Sequence, residues 1–594
     1  MKIELLLLSL VCMSCSVFSQ KEDHQWIFNF TSIDDVSMYP DFGACILDFN
    51  QLPPRGVLSS EITLDMGECH ASLCDEDGNL RVYSNGQSIH GSNHNPVING
   101  DTINFSPKWS WLLWENENGE LKPSGFRGAQ AVGFIPQPET DTILAFYHNY
   151  ENHNVGELGT GYLELWMSQL VPNDSDDYEI VSRDSVINNK IFKFGTITAC
   201  KYGNGRDWWL LQFNKDTVYH YLIDPSGINL DHISSLPFEV RGTVGQSKFS
   251  PQGDKFALYG SIDLITTDLM IADFDRCSGN LINPIFSFQP GAEVILDGGL
   301  EFSPNGELLY ISTPTNIHQF DLNQPDIFST KQEVATYNGS TCGDSADFPL
   351  EFGQMQLGVD NKIYISRTLQ CFDIHVINYP NNRGTDCEVQ QNVIKLPTYT
   401  EGTIPNFNTY RLGPLDGSSC DTLAINNNPI SRYWYEQDSM NFLTVQFWDV
   451  SYFRPEDWRW DFGDGTSSTE RFPVHSFTQN GVYDVCLTVS NENSSNTSCL
   501  TLNIGTTSTT ENVVDINFTV FPNPTHDVIR CQLQNYLPRY GRIIIYNSNG
   551  HTILTEKMRV GATNIDLTKF EAGIYFYKLS DGNKKIKSGK IVKL

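Results

Sequence analysis

The stretch EFSPNGELLYIST, residues 301–313, decides how this chain folds. Phe302 ends one apolar run. Ser-Pro-Asn-Gly then turns the chain, with Pro304 fixing φ at the second position and Gly306 free to close the turn. Leu308 to Ile311 resume as a strand. The same grammar stands in KFSPQGDKFALYG from Lys248 and, more loosely, in QLGVDNKIYISR from Gln356. Gly253 and Gly306 are 53 residues apart, and Asn361 lies 55 beyond Gly306. Looser relatives are SLCDEDGNLRVYSNG from Ser72 and YLIDPSGINL from Tyr221. A strand unit that repeats at this period, with no helical periodicity between copies, predicts the blades of a β-propeller. Residues 21–415 would hold about seven blades, with six or eight as neighbouring solutions. The competing reading is a plain antiparallel sandwich in which Ser-Pro-x-Gly is only a common turn.

The chain has 594 residues, too many for one core. Its aromatic, Gly and Pro content favours strands and turns. The predicted fold class is therefore all-β: a propeller at 21–415, a polar linker at 416–430, a sandwich at 431–505, a Thr-rich linker at 506–514 and a second sandwich at 515–594. A net charge of −32 argues against nucleic acid as a partner. Residues 1–20 read as a secretory signal, with Leu5 to Val11 as its apolar core and cleavage between Gln20 and Lys21. The alternative there is lipidation at Cys15. No other run is long and apolar enough to span a bilayer.

Twelve cysteines lie beyond the two in the signal, and an exported chain folds where disulfides form. Cys486 and Cys499 flank a short turn between two strand-like runs. In register, they would face each other across a hairpin. No cofactor and no metal site is expected. DEDGNL from Asp75 has the wrong spacing for a calcium loop and reads as a hairpin turn. Cys69-x4-Cys74 with His70 lacks a second zinc ligand pair.

Three resemblances follow from particular motifs. SLCDEDGNLRVYSNGQSIHGSNHNPVING and ACKYGNGRDWWLLQFNKDTVYHYLID resemble WD40/YVTN-like propellers of secreted Bacteroidetes proteins, which implies fold without catalytic residues. Trp460-Asp461-Phe462-Gly463-Asp464-Gly465, with Pro473, His475 and Phe477 after it, resembles the PKD domain, an immunoglobulin-like sandwich. Trp460 and Phe462 would then point into the core and Asp461 outward. Trp458 and His475 are either a binding surface or braces for the core and turn.

The end segment resembles the C-terminal sorting domain of the type IX secretion system. Its motif residues are Pro522-Asn523-Pro524, Ile545-Tyr546-Asn547 with Gly550, Leu567, and Gly573-Ile574-Tyr575-Phe576 before a Lys-rich last strand. From Val513 onward twelve Lys and Arg stand against six Asp and Glu, so this segment is +6 and the rest −38. The resemblance implies an outer-membrane translocon as partner, a surface or secreted location, and removal of the domain after export.

Motifs for acyl, phosphoryl or metal-assisted chemistry are missing from the sequence, and no full S-x-D-x-G-x-x-W box of a sialidase occurs. Trp109, Trp111, Trp114, Trp208 and Trp209 would stack on sugars or pack between blades. Two functions remain open. One is a non-enzymatic binder of glycan or surface protein, with the PKD domain as spacer or auxiliary binder. The other is a propeller hydrolase or lyase acting on polysaccharide or peptide. Two carboxylates, or an arginine cluster with a tyrosine, converging on one cleft would favour the second.

Overall fold

The computed structural model describes residues 21–594 except 31–42, 106–112, 116–120, 124, 126–129, 150–162, 175–176, 193–196, 242–243, 262–265, 291–297, 343–348, 368–370, 439–440, 506–516, 535–540, 548–551, 558–560 and 582–583. Among the described residues the regular elements are strands and two four-residue 3-10 turns. The signal and its Gln20 border, Trp109, Trp111, the Trp114 side chain and Gly550 lie outside them.

Among the described residues, seven antiparallel sheets of three or four strands follow one another between Gln25 and Thr400, with a separate two-stranded sheet, Leu113–Glu115 and Leu121–Pro123, between the second and third. Blades 1 and 2 have three strands, and blades 3 to 7 have four. Their first strands are Gln25–Phe30, Ala71–Cys74, Val132–Pro136, Ala199–Lys201, Val244–Phe249, Leu300–Phe302 and Phe352–Leu357. The repeated turn joins first to second strand in the copies at Gly78, Gly253, Gly306 and Asn361. Gly253, Gly306 and Asn361 donate back to Ser250, Ser303 and Gly358, and all three adopt φ between 63° and 71°. That left-handed conformation is what Gly and Asn tolerate. Gly78 and Gly205 make the same bond in blades 2 and 4. The relative YLIDPSG does not belong to the set. Its Gly227 joins the third and fourth strands of blade 4, so its likeness is that of an ordinary hairpin turn.

The ring closes through apolar seams between neighbouring sheets. Ile27 and Ala44 of blade 1 pack with Cys74 and Tyr83 of blade 2. Blades 4 and 5 share Phe213 and Phe256, stacked at 5.3 Å. Blades 5 and 6 share Tyr259 and Leu309, and blades 6 and 7 share Tyr310 and Ile363. Trp26 of blade 1 meets Tyr364 of blade 7 at 5.3 Å, which joins the last blade to the first.

The end of the propeller region is not a blade strand. Residues 402–412 leave blade 7 and run along the inner strands, with almost every side chain buried. Thr403 Oγ1 donates to Gly67 O, and Ile404 N to Gln354 Oε1. Asn406 N donates to His70 O. Asn406 Nδ2 donates to Val132 O and Ile197 O, and its Oδ1 accepts from Gln130 Nε2. Gln130 Nε2 also donates to Ser247 O. Asn408 Nδ2 donates to Phe134 O, and Thr409 N to Ala199 O. One strip of chain thus bonds to blades 2, 3, 4 and 7 and, through Gln130, to blade 5. Only the axis of the ring is equidistant from so many blades, so the protein fills its own channel. Asn and Gln suit this place because each offers donor and acceptor to carbonyls that no ladder partner reaches.

The expected linker at 416–430 is tethered. Cys420 is disulfide-bonded to Cys277 in blade 5, and buried Asn427 donates to Pro414 O and Asp416 Oδ2. Polar composition here reflects turn and anchoring chemistry, not a free tether. Beyond it, two sheets (Tyr433–Gln437, Thr444–Asp449, Val474–Ser476 and Ser467–Ser468, Asp457–Asp461, Gly481–Ser490, Ser495–Ile504) enclose Phe447, Trp460, Phe462, Val485 and Leu487. Trp460 and Phe462 are buried and Asp461 is exposed. Cys486 and Cys499 are register partners and form a disulfide.

The last two sheets enclose Ile529, Cys531, Ile543, Ile545 and Ile591. The Pro-Asn-Pro motif has a specific job here. Asn523 Nδ2 donates to Lys590 O, and Asn523 Oδ1 accepts from Val592 N. The side-chain amide thus imitates a strand partner for the edge strand Lys584–Lys593, between two prolines that offer no N–H. Tyr575 is buried with its hydroxyl on Glu571 O, and Gly573 opens its strand.

Candidate functional site

With the channel filled, concavity must be sought elsewhere. A cleft of about 710 Å³ opens where the first-to-second-strand turns of blades 5 to 7 meet the PKD-like sandwich. Its floor carries Lys248, Glu301 and Gln356 from three adjacent first strands, and the end of the axial segment at Tyr410 and Arg411. Its lid is the 450–455 loop with Arg471 and Phe472.

The two bodies are held together by a polar latch at the edge of this cleft. Arg432 Nη1 donates to His24 Nε2 at 2.7 Å, and Arg432 Nη2 to Phe49 O at 3.0 Å. His24 Nδ1 donates to Asn50 Oδ1, so the ring is neutral with its proton on Nδ1. Burial, with Arg432 and Arg411 nearby, lowers its pKa to about 2. Tyr379 packs against Trp448 at 5.3 Å, and Lys362 lies over Trp434 at 4.7 Å.

Charges in the cleft divide by role. Lys248 bonds to Gln356 and lies 3.6 Å from Glu301; both are buried, and burial lowers the Lys248 pKa and raises that of Glu301. The Glu301 carboxylate also accepts from Phe302 N and Leu357 N, leaving it little capacity for a substrate. Arg276 is buried and donates to three backbone carbonyls, Lys201, Tyr202 and Gly413. Asp23 pairs with Arg411, whose guanidinium sits over Tyr452. Arg454 meets Asp416 only at 3.7 Å, and Arg471 bonds to the buried Asp449 at 2.9 Å.

The lid loop holds an unusual backbone. Phe453 and Arg454 follow one another at φ of 63° and 52°. Non-glycine residues in this region cost of order 1 kcal/mol each. Such strain persists only where the surroundings impose it.

Among the sequence-derived candidates, the PKD motif makes its own turn, not the cleft. Gly463 and Gly465 take φ of 75° and 89°, and Asp461 Oδ1 accepts from Gly463 N. Asp464 accepts from Thr466 N and bonds to His475 Nε2 at 2.8 Å, while His475 stacks on Phe462 at 3.9 Å. Burial works against the Asp464 charge, but the Thr466 and His475 bonds prevail and lower its pKa. Trp458 borders the cleft through Arg471, which lies 5.0 Å over its ring. Trp208 and Trp209 are buried, Trp208 under Lys201 and Trp209 bonded to Arg276 O. Lys21, the first residue after the expected signal border, donates to Asp77 O. The described residues hold no group of three or more His, Cys, Asp or Glu placed for a metal ion. No helix among them is long and apolar enough to cross a membrane.

Comparison with known proteins identifies the two modules that follow the ring of sheets. Residues 435–505 match the family model for the PKD domain, and residues 519–593 that for the secretion system C-terminal sorting domain. The chain is therefore a multidomain protein that carries both modules and is exported by type IX secretion to the cell surface or beyond. Among solved structures, the PKD1 domain of the Vibrio cholerae metalloprotease PrtV is 31% identical over 13% of this chain and 99% of that one, with a TM-score of 0.13. A putative 6-phosphogluconolactonase from Bacteroides uniformis is 14% identical over 64% and 98%, at a TM-score of 0.36. PorZ, a surface component of the type IX system of Porphyromonas gingivalis, is 10% identical over 93% and 73%, at a TM-score of 0.28. No curated protein matches the chain.

Proposed function

We infer that this is an exported binding protein whose ligand sits in the cleft between propeller and PKD domain. The observation that carries the reading is the division of space. The axial channel, where a propeller could gather reactive groups, is occupied by residues 402–412, whereas the cleft is open and lined from both bodies. The PKD domain then serves as one wall of the site and not only as a spacer. The first 20 residues act as the export signal, and the last domain engages the translocon. The ligand is a glycan or a protein of the surroundings.

The test uses the mature chain on arrays of polysaccharides and surface proteins, beside Asn381→Trp, which puts an indole into the cleft from a rim position. Retention by the wild type and loss by the variant supports the reading; equal retention refutes it. Deleting residues 515–594 should trap the protein in the periplasm, and normal surface delivery would refute the sorting role.

One observation favours the catalytic alternative. Arginines and a tyrosine, Arg411, Arg454, Arg471 and Tyr452, do converge on the cleft. An arginine that neutralises a sugar carboxylate beside a tyrosine could support elimination from a uronate. Against it, both lining carboxylates are committed to Arg411 and Lys248. Incubating the protein with oligogalacturonate separates the two readings, because an unsaturated product signals turnover and its absence leaves binding.

A further inference from the structure

We propose that the cleft selects an anionic glycan, one whose sugars carry carboxylate or sulfate groups. The proposal rests on the cleft reading above and names its ligand class.

The charge pattern is the first ground. Lining side chains supply five cations, Lys248, Arg276, Arg411, Arg454 and Arg471, against two anions, Asp23 and Glu301. This stands in the part of the chain ahead of Val513, whose net charge is −38, so the cleft is a local exception within an acidic region. Three of the four carboxylates paired with these cations lie behind them. Asp23, Glu301 and Asp449 side chains are 7%, 4% and 0% exposed, whereas those of Arg454 and Arg471 are 55% and 47% exposed. Each of these three buried carboxylates orients a cation, and Arg454 and Arg471 are the exposed charges, with the 32% exposed Asp416 at 3.7 Å from Arg454 offsetting part of that excess. Arginine presents a planar fork that matches carboxylate and sulfate oxygens in pairs.

The second ground is the company these cations keep. Phe453 and Phe472, the latter 41% exposed, supply ring surface on which the C–H face of a sugar can pack, with the buried Tyr452 beneath Arg411 beside them. Asn305 and Asn381 on the opposite rim supply amides for hydroxyl groups. The third ground is the lid backbone. Two consecutive left-handed residues, Phe453 and Arg454, place an aromatic ring and a guanidinium on the same lip. Glycine would hold that conformation without strain, so the side chains are what the strained loop retains. An acidic peptide offers the charge but no sugar ring to meet the aromatic wall.

The test measures binding of the mature full-length chain by calorimetry to oligogalacturonate and to its methyl ester, which differ only in charge. Dextran sulfate and dextran form a second such pair, and poly-glutamate stands for an acidic peptide. The expected result is binding of the charged member of at least one pair, weakened by added salt and weakened about tenfold or more by Arg454→Gly. The first pair identifies carboxylate and the second sulfate as the group read. Arg454→Gly suits the backbone at this position, so loss of binding would not reflect misfolding.

Several results would overturn the proposal. Binding of the methyl ester or of dextran as tightly as the charged partner, abolished by Asn381→Trp, refutes the anionic class and leaves the cleft reading standing. Tighter binding of poly-glutamate assigns the cleft to peptides. Failure of every anionic sugar to bind also refutes it. Binding of an anionic sugar that neither Asn381→Trp nor Arg454→Gly changes refutes both the ligand class and the cleft.

Discussion

Replacing Asn406 by alanine removes one of the two asparagine side chains of the axial segment that make three hydrogen bonds each. Its amide nitrogen donates to Val132 O at 3.0 Å and to Ile197 O at 2.7 Å, and its oxygen accepts from Gln130 Nε2 at 3.1 Å. The residue is 6% exposed, so water does not readily take over. Three hydrogen bonds at about 1 kcal/mol each, plus the penalty for carbonyls left bare, give a loss of about 3–5 kcal/mol. Asn406→Asp should cost more, because it aims a carboxylate oxygen at two carbonyls where a donor stood. Asn229→Ala, at an exposed position in the outer strand of blade 4, is the control and should stay within about 0.5 kcal/mol. Differential scanning calorimetry of the three variants resolves the propeller transition. A loss below about 1 kcal/mol for Asn406→Ala, or an aspartate tolerated as well as alanine, would place that side chain in solvent and refute the filled channel.

Acid should destabilise the protein steeply. His24, His70, His148, His220 and His375 are buried, and burial is the leading cause that lowers their pKa values to about 2, 3, 4, 4 and 3. Each is protonated more readily when unfolded, so its contribution is whole above about pH 6.5 and is lost as pH falls, by about 2 kcal/mol each at pH 5. Glu22, raised to about 7 mainly by burial, opposes part of this. A melting temperature that stays flat between pH 8 and 5 contradicts the assignment. Cys277→Ser with Cys420→Ser opens a tether spanning 143 residues and should cost about 2–5 kcal/mol, with new protease cleavage within 416–430; unchanged protection there would show the tether to be held by Asn427 alone. Arg454→Gly relieves left-handed strain and should raise stability by up to about 1 kcal/mol. A clear destabilisation would show that the guanidinium holds the loop.

The ring of sheets was legible because one turn repeats. Pro at the second position and Gly or Asn at the left-handed fourth position leave a trace in sequence, and the apolar strands on either side set its phase. The turn occurs in five blades, and the copies at Gly78 and Gly205 are harder to see because Asp75-Glu-Asp and Tyr202-Gly-Asn replace the Ser-Pro signal. The PKD and sorting modules were legible for the same reason, since their motifs are turns and edge devices with local geometry. The axial segment was not legible. It has no ladder and no periodicity, and Asn406 and Asn408 look like any loop asparagines until the carbonyls of Val132, Ile197 and Phe134 are brought to them. The cleft was equally hidden. Asp23, Lys248, Glu301, Gln356, Arg411 and Arg454 come from both bodies and from distant parts of the chain, and ring closure and domain docking bring them together.

The account depends most on the chain occupying its own axis, which sends ligand recognition to the cleft. Amide hydrogen exchange over residues 403–412 tests this directly. Asn406 N donates to His70 O at 2.9 Å and Thr409 N to Ala199 O at 3.0 Å, both in the interior. These amides should exchange as slowly as those of the first strands Val132–Pro136 and Ala199–Lys201. Exchange as fast as that of the exposed turn at residues 225–227 would mean an open channel, and the cleft would lose its claim to be the site.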